Sequence, residues 1–286
     1  MNHIHIVTDS TACLPQRLAA ELNITVVPAF INFPTRSYLD GVDLTPAEFY
    51  AKLAASPSLP TTAVPPPGVF EETYRRLGET SRHIISIHLS SKLSGMLNAA
   101  AVAARELPDL DITLVDSRTV SMALGWHAII AARCVRAGGG KAETLARVQS
   151  AIPRTRLLAL LDTLEYVRRS GRVTFPQAFL GTLFDIKPIL EVRSDGVYPI
   201  EKTRTFQRAV ERVIEMLQEM APFEELAVLH TNAPERAEET RARLAHLHPS
   251  DRILIVEAGP ILGTHVGPGG IGVAVVVAQD LGKQQL

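Results

Sequence analysis

Short apolar runs alternate with stretches of helical periodicity along most of the chain, the pattern of an α/β protein whose strands are covered by helices. Thr45 and Glu48 flank Pro46 in the arrangement of a capping box and predict a helix start. In the first half the pattern predicts strands at residues 4–7, 24–31, 83–89 and 112–115, and helices at residues 15–22, 46–54 and 99–105 and after residue 117.

The second half is richer in hairpin signals. Ser194, Asp195 and Gly196 predict a tight turn between two strands, and Asn232 with Glu235 three positions later predicts another capped helix. The predicted strands are residues 157–161, 189–192, 197–200, 226–229, 253–256 and 273–278, and a further predicted helix spans residues 206–220.

Prolines and glycines mark the irregular parts of the chain. The stretch 57–67 contains so many prolines that we expect a loop without regular structure, at the surface or beside a cleft. The run Gly138-Gly139-Gly140 interrupts the pattern again. At about 150 residues per domain, the sequence therefore predicts an N-terminal α/β domain at residues 1–152 and a C-terminal one at residues 153–286.

Composition narrows the class of protein. Hydrophobic residues make up 46% and charged residues 21%, which excludes a disordered chain. Lys plus Arg number 29 and Asp plus Glu 30, so the net charge of −1 does not favour nucleic acid as a partner. Cys13 and Cys134 are too few for a disulfide framework. Without a leader or a long apolar run, we expect a cytoplasmic protein with no stable membrane insertion.

Polar segments follow several predicted strands, where α/β proteins place their ligands. These segments offer hydroxyl and amide donors with few fixed positive charges, which suits a carboxylate or another small oxyanion. The alternative for Asp9 is local turn chemistry, and the alternative for Ser94 with Gly95 is a helix N-cap with a tight turn. His265 stands between Gly263 and Gly267, so we interpret it as functional and not as a packed core residue. The segments are residues 8–11, 90–95, 116–117 and 259–270, joined by the loop at 60–63.

Several common sites are not indicated. Residues 267–272 satisfy the dinucleotide fingerprint literally, yet a β-rich stretch follows where that motif requires a helix. The chain has no P-loop motif and no nucleophile-elbow motif. Its histidines show no metalloprotease-like spacing, so the sequence predicts no metal site and no cofactor.

Taken in order, seven motifs over almost the whole chain resemble the DegV family of bacterial fatty-acid-binding proteins. The motifs are V-T-D-S-T, P-T-T, L-S-S-K-L-S-G, V-D-S, L-E-Y-V-R-R-S-G-R-V, D-I-K-P-I-L and G-P-I-L-G-T-H-V-G-P-G. The resemblance implies two α/β domains with a ligand cleft at their interface, enclosing a long-chain fatty acid. It further implies a carrier that is not itself an enzyme and presents the carboxylate to a separate ATP-dependent fatty-acid kinase, with transient contact with a membrane surface.

The resemblance also implies roles for individual residues. Thr62, Ser94 and the backbone N–H of Gly95 would bind the carboxylate, and His265 would lie near it. Arg172 and Arg204 match basic positions that would contact the kinase and its phosphoryl group. The chain departs from the family where polar residues usually follow Thr62 and Gly95, because Ala63, Val64, Met96 and Leu97 replace them, with Asn98 next.

Two other functions remain open from the residues alone. Ser94 with His265 as base, oriented by Asp9 or Asp116, would suit an acyl hydrolase or transferase. The same donors would also suit a module that binds another small anion, independent of any hydrocarbon chain.

Overall fold

A computed structural model gives the structure of residues 3–173 and 186–279. Within these ranges the elements up to residue 152 are β1 (Ile4–Asp9), α1 (Gln16–Glu21), β2 (Ile24–Val27), β3 (Phe30–Asn32), β4 (Ser37–Leu39), α2 (Pro46–Ala55), β5 (Thr61–Ala63), α3 (Pro67–Gly78), β6 (His83–His88), α4 (Met96–Arg105), β7 (Asp111–Asp116), α5 (Ser121–Arg136) and α6 (Lys141–Ala151). The later elements are β8 (Thr155–Leu160), α7 (Glu165–Ser170), β9 (Lys187–Arg193), β10 (Gly196–Thr203), α8 (Phe206–Met220), β11 (Phe223–His230), α9 (Pro234–Leu244), β12 (Leu254–Glu257), α10 (Pro260–Val266) and β13 (Ile271–Val277).

Two large sheets form the framework of this α/β fold. The first is parallel, in the order β2-β1-β6-β7, and every residue of β1 is buried, as expected for a strand covered on both faces. The second has six strands in the order β10-β9-β8-β13-β11-β12 and is mostly antiparallel. The hairpin predicted around Ser194 and Asp195 is confirmed, since β9 and β10 pair on either side of that turn.

A small antiparallel sheet, in the order β4-β3-β5, corrects two predictions. The single strand predicted at residues 24–31 is wrong, because β2 ends at Val27 and Pro28 cannot donate to the ladder of the first sheet. The loop predicted at residues 57–67 is also wrong at Thr61–Ala63, which form β5. No proline lies within those three residues, so their backbone can pair with β3.

Other boundaries follow local chemistry closely. Thr45 Oγ1 accepts a hydrogen bond from Glu48 N, and Glu48 Oε2 accepts one from Thr45 N, so the predicted capping box is confirmed.

The predicted cap at Asn232 is wrong. Asn232 adopts a left-handed conformation (φ 52°), Ala233 takes the N-cap position, and His230 Nδ1 accepts the Ala233 N–H.

Helix α5 links the two large sheets. Its Trp126 is buried and donates from Nε1 to Ala274 O on β13, at 3.2 Å. One hydrophobic cluster includes residues from both sides of residue 152, such as Ile129 and Val276. The large sheets lie on opposite sides of the predicted boundary in the sequence, while the division into domains 1–152 and 153–286 stays a prediction. No helix in the described ranges is long and apolar enough to cross a membrane.

Candidate functional site

A cavity of about 260 Å³ lies where the two halves of the chain meet. Most of its wall is aliphatic and comes from the second sheet and α7, with a small share of polar groups. The aliphatic wall includes Leu157, Ala159, Leu161, Leu190, Val192 and Val197. A largely apolar ligand with a small polar group fits this lining better than a uniformly polar ligand does.

Two predicted site residues meet in the cavity wall. Thr62 lies in the middle of β5 and pairs with Ile31 of β3. Because side chains alternate along a strand, Thr62 points to the opposite side of the small sheet from Thr61 and Ala63. Its Oγ1 lies 2.9 Å from His265 Nε2 in α10, and both residues line the cavity. Strand β5 and helix α10 therefore bring together two polar groups from distant parts of the sequence.

Ser94 and Gly95 reach the same cavity from the loop between β6 and α4. Gly95 is the residue before α4, so its N–H lies at a helix start, where backbone donors lack helical partners. Ser94 Oγ accepts a hydrogen bond from Met96 N at 3.3 Å, so the turn interpretation of Ser94 is confirmed. Its hydroxyl proton remains available to a ligand, and the two interpretations are compatible.

Residues 259–270, which the sequence indicates as a polar segment with glycines on both sides of His265, contain a helix that the sequence did not predict. Residues 260–266 form a helix, and His265 lies in its last turn, partly buried. Gly263 permits this packing, because a Cβ there would lie 2.6 Å from the Phe49 ring and 2.8 Å from Tyr50 Oη of α2. The fingerprint-like run that ends at Gly272 leads into β13, as predicted.

Burial controls the charge of His265. Loss of solvent lowers the pKa of His265 to about 4, and the positive charge of Arg172 acts in the same direction. The imidazole is therefore neutral at neutral pH. Its Nδ1 is enclosed and has no hydrogen-bond partner among the described residues.

The residues required for a hydrolase do not assemble. Asp9 accepts hydrogen bonds from Thr11 N and Leu89 N and lies 3.0 Å from His88 Nδ1, all at the carboxyl ends of β1 and β6. Asp116 accepts from Ser91 and from Arg118 in its own loop region. Within the described part of the chain, neither carboxylate contacts His265, whose Nε2 meets Thr62 and not Ser94.

The two arginines occupy different places. Arg172 follows α7, is exposed, and borders the cavity. Arg204 lies in the exposed bend between β10 and α8, and it is not part of the cavity wall. The structure therefore brings Thr62, Ser94, Gly95, His265 and Arg172 together around one cavity and leaves Arg204 outside it.

Sequence reasoning missed part of the polar wall. Ser121, His230 and Thr231 also line the cavity. His230 ends β11, so the rule that ligands gather at strand ends could have identified it. Ser121 begins α5 with φ 63°, a conformation that no sequence signal predicts for a serine. In the described ranges no group of three His, Cys, Asp or Glu side chains could hold a metal ion.

Comparison with known proteins decides the family. A family model described as "Uncharacterised protein, DegV family" matches residues 3–278. The chain belongs to the DegV family. A DegV domain-containing protein from Streptomyces coelicolor is 38% identical, and the alignment covers 96% of this chain and 98% of that protein. The DegV resemblance inferred from the seven motifs is thereby confirmed.

Solved DegV structures share the fold. A DegV family protein from Thermus thermophilus, described in terms of fatty acid binding, aligns with a TM-score of 0.89 and 30% identity over 96% of this chain and 100% of its own. DegV from Bacillus subtilis, described as a fatty acid binding protein, aligns with a TM-score of 0.87 and 30% identity over 97% and 100%. The DegV fold of this chain thus extends over both large sheets.

Proposed function

We propose that the chain binds a long-chain fatty acid in its cavity, as the two DegV relatives described as fatty acid binding do, and that it presents the carboxylate to a separate kinase. The observation that carries the proposal is a mostly aliphatic cavity wall that also contains the Thr62–His265 contact, Ser94 and Gly95. In this arrangement the chain is a carrier, and its ligand is the only group it holds.

The aliphatic wall supplies the main free energy of binding. An acyl chain of about 14 methylene groups gains on the order of 11 kcal/mol on burial, at about 0.8 kcal/mol per group. Immobilising the chain and desolvating the carboxylate offset much of this gain. Ala63, Val64 and Met96, which replace polar residues usual in the family, border the cavity and extend its apolar surface.

The head group is held by donors and not by a formal counter-charge. When neutral His265 carries its proton on Nε2, it donates to Thr62 Oγ1, and the Thr62 hydroxyl is free to donate to a carboxylate oxygen. Ser94 and the Gly95 N–H provide two more donors. Donors of this kind stabilise a carboxylate that has left water.

Presentation to a kinase requires that the carboxylate be reachable. Gly95 and Arg172 border the cavity and are exposed. Arg204, which directly follows β10 in the sequence, is also exposed. Two exposed guanidinium groups suit contact with a phosphoryl donor on a partner. We expect acyl phosphate to form when a fatty-acid kinase subunit and ATP are added, and Arg204→Ala to impair this step while lipid retention stays normal.

Extraction of the purified protein tests the first part of the proposal. We expect organic solvent to release about one equivalent of fatty acid, identified by mass spectrometry. Absence of any acid, together with failure of added palmitate and oleate to bind, would refute the carrier function. If binding instead proves indifferent to chain length and is displaced by phosphate or short carboxylates, the small-anion function is correct.

A further inference from the structure

His230 is a buried histidine in the cavity wall that the proposed carboxylate site does not use. Only 7% of its surface is exposed, and it lies at the end of β11. Its backbone O accepts a hydrogen bond from Ala258 N, just before α10, at 2.8 Å. This hydrogen bond fixes the backbone of His230, and the residue borders the cavity.

The hydrogen bonds of His230 assign its proton. Nδ1 accepts the N–H of Ala233, so it carries no proton, and burial lowers the pKa of the ring and keeps it neutral. The proton is therefore on Nε2. This N–H has no hydrogen-bond partner among the described residues, and, unlike His265 Nδ1, it is not enclosed by protein atoms. A donor without a protein partner in an apolar cavity wall favours a ligand that carries an acceptor.

This donor is separate from the carboxylate site. His230 is tied to the residues before α10, whereas His265 lies in the last turn of that helix. At 1.5 Å per residue, the rise from Pro260 to His265 is about 8 Å. Ser121 is 4% exposed and also borders the cavity, and its hydroxyl is close enough to the Cys13 thiol to affect that thiol's pKa.

We propose that His230 and Ser121 form a second polar subsite inside the cavity, which binds an oxygen atom carried along the hydrocarbon chain of a hydroxy fatty acid. The inference rests on the proposed function and specifies its ligand. A hydroxyl placed in an apolar cavity is penalised unless it finds a partner, and an unsubstituted acid leaves the His230 N–H unpaired. Both effects favour the hydroxylated acid.

Ricinoleate and oleate provide a matched pair of ligands, because they share chain length and double bond and differ by one mid-chain hydroxyl. We expect the wild-type protein to bind ricinoleate about tenfold more tightly than oleate in a competition assay with a fluorescent fatty acid. Equal binding, or tighter binding of oleate, would overturn the subsite and leave the carrier function intact. Failure of both acids to bind would overturn both.

Two His230 variants separate the roles of its nitrogens. His230→Asn keeps an acceptor for the Ala233 N–H but has no donor that reaches the position of Nε2, so the preference for ricinoleate should fall to about equal binding. His230→Gln places a donor near Nε2 and should keep most of the preference. Ser121→Ala should reduce the ratio without touching the Ala233 contact, and Thr62→Ala should weaken both acids with the ratio unchanged. A ratio that survives in both His230→Asn and Ser121→Ala contradicts the assignment.

Discussion

Thr62 and His265 are separated by 203 positions in the chain, yet their side chains meet at 2.9 Å. Neither residue would bind a carboxylate well alone. An isolated threonine hydroxyl rotates freely, whereas the His265 N–H would fix its oxygen and leave its proton for the ligand. The neutral state of His265 is essential to this arrangement, because a charged ring would be desolvated in the cavity wall.

We therefore expect Thr62→Ala to weaken fatty-acid binding by about 1–3 kcal/mol, the usual effect of losing a hydrogen bond to a charged group. Displacement of a fluorescent fatty acid measures the change. Thr61→Ala is the matched control, since Thr61 precedes Thr62 in β5, is exposed, and does not border the cavity. Equal losses in the two variants would contradict the role of Thr62.

His127 gives a prediction for stability against pH. It is completely buried in α5, its Nε2 lies 2.8 Å from Thr155 Oγ1, and burial lowers its pKa from 6.5 to about 4. Between pH 6.5 and pH 4 the unfolded chain binds a proton at this residue that the folded chain does not. Stability must therefore fall as the pH falls through this window, by up to about 1.4 kcal/mol per pH unit.

Replacement of His127 by glutamine tests this linkage, because glutamine can still donate to Thr155 but cannot take up the proton. The free energy of unfolding, measured with urea at several pH values from 7 to 4, should decline less steeply in His127→Gln than in the wild type. His246→Gln, at an exposed position, serves as the control. Parallel slopes for all three proteins would show that His127 does not contribute.

The residues of the cavity differ in how well the sequence alone predicts their roles. Thr62, Ser94 and His265 stood in polar segments with motif neighbours, and the structure places all three on one cavity. The role of His230 depends on the hydrogen bond that it accepts from Ala233, the residue after Asn232, whose backbone is left-handed. Local preference favours asparagine as a helix cap, and tertiary packing overrides that preference here.

Elements were predictable where local chemistry defines them. Helix α2 begins at its capping box, and α8 occupies the predicted residues 206–220. Helix α10 was not predicted, because its glycines favour a loop locally and only contact with α2 makes them useful. Strand β5 was missed for a related reason. It consists of three residues between prolines, and its pairing with β3 is a long-range contact.

The close contact of α10 with α2 leads to a prediction for the helix as a unit. Gly263→Ala adds a methyl group 2.6 Å from the Phe49 ring, so α10 must move away. We expect destabilisation by about 1–3 kcal/mol and weaker fatty-acid binding, since His265 moves with the helix. Thermal unfolding and ligand displacement measure the two effects.

Gly68→Ala is the control for this experiment. It adds the same methyl group to helix α3 in open space, with nothing within 4 Å. We expect stability to be unchanged or raised by up to about 1 kcal/mol. A Gly263→Ala protein as stable and as tightly binding as Gly68→Ala would show that the contact with α2 does not position the helix.

For the molecule as a whole, the sequence indicated the α/β class but not the order of strands. Alternating patterns predict which segments are strands, while the order β10-β9-β8-β13-β11-β12 depends on contacts between distant segments. The sequence also did not predict the hydrophobic cluster that both halves of the chain share. It depends on α5, whose mostly buried surface faces elements from both halves.

This shared cluster predicts one cooperative unfolding transition. Trp126 is the only tryptophan, and its indole bonds to Ala274 across the two halves, so its fluorescence reports on their contact. We expect its transition in urea to coincide with that of far-UV circular dichroism. If fluorescence changes at a lower urea concentration than the helical signal, the two halves separate before they unfold.

The residues of the proposed carboxylate site come from three separate structural units: Thr62 from the small sheet, Ser94 from a loop of the first sheet, and His265, which orients Thr62, from α10. Binding of the fatty acid would thus require that all three units are correctly placed. A molecule in which any one of these units is misplaced would lose its lipid while keeping nearly all of its secondary structure. Loss of bound lipid would therefore reveal an incompletely folded chain before circular dichroism does.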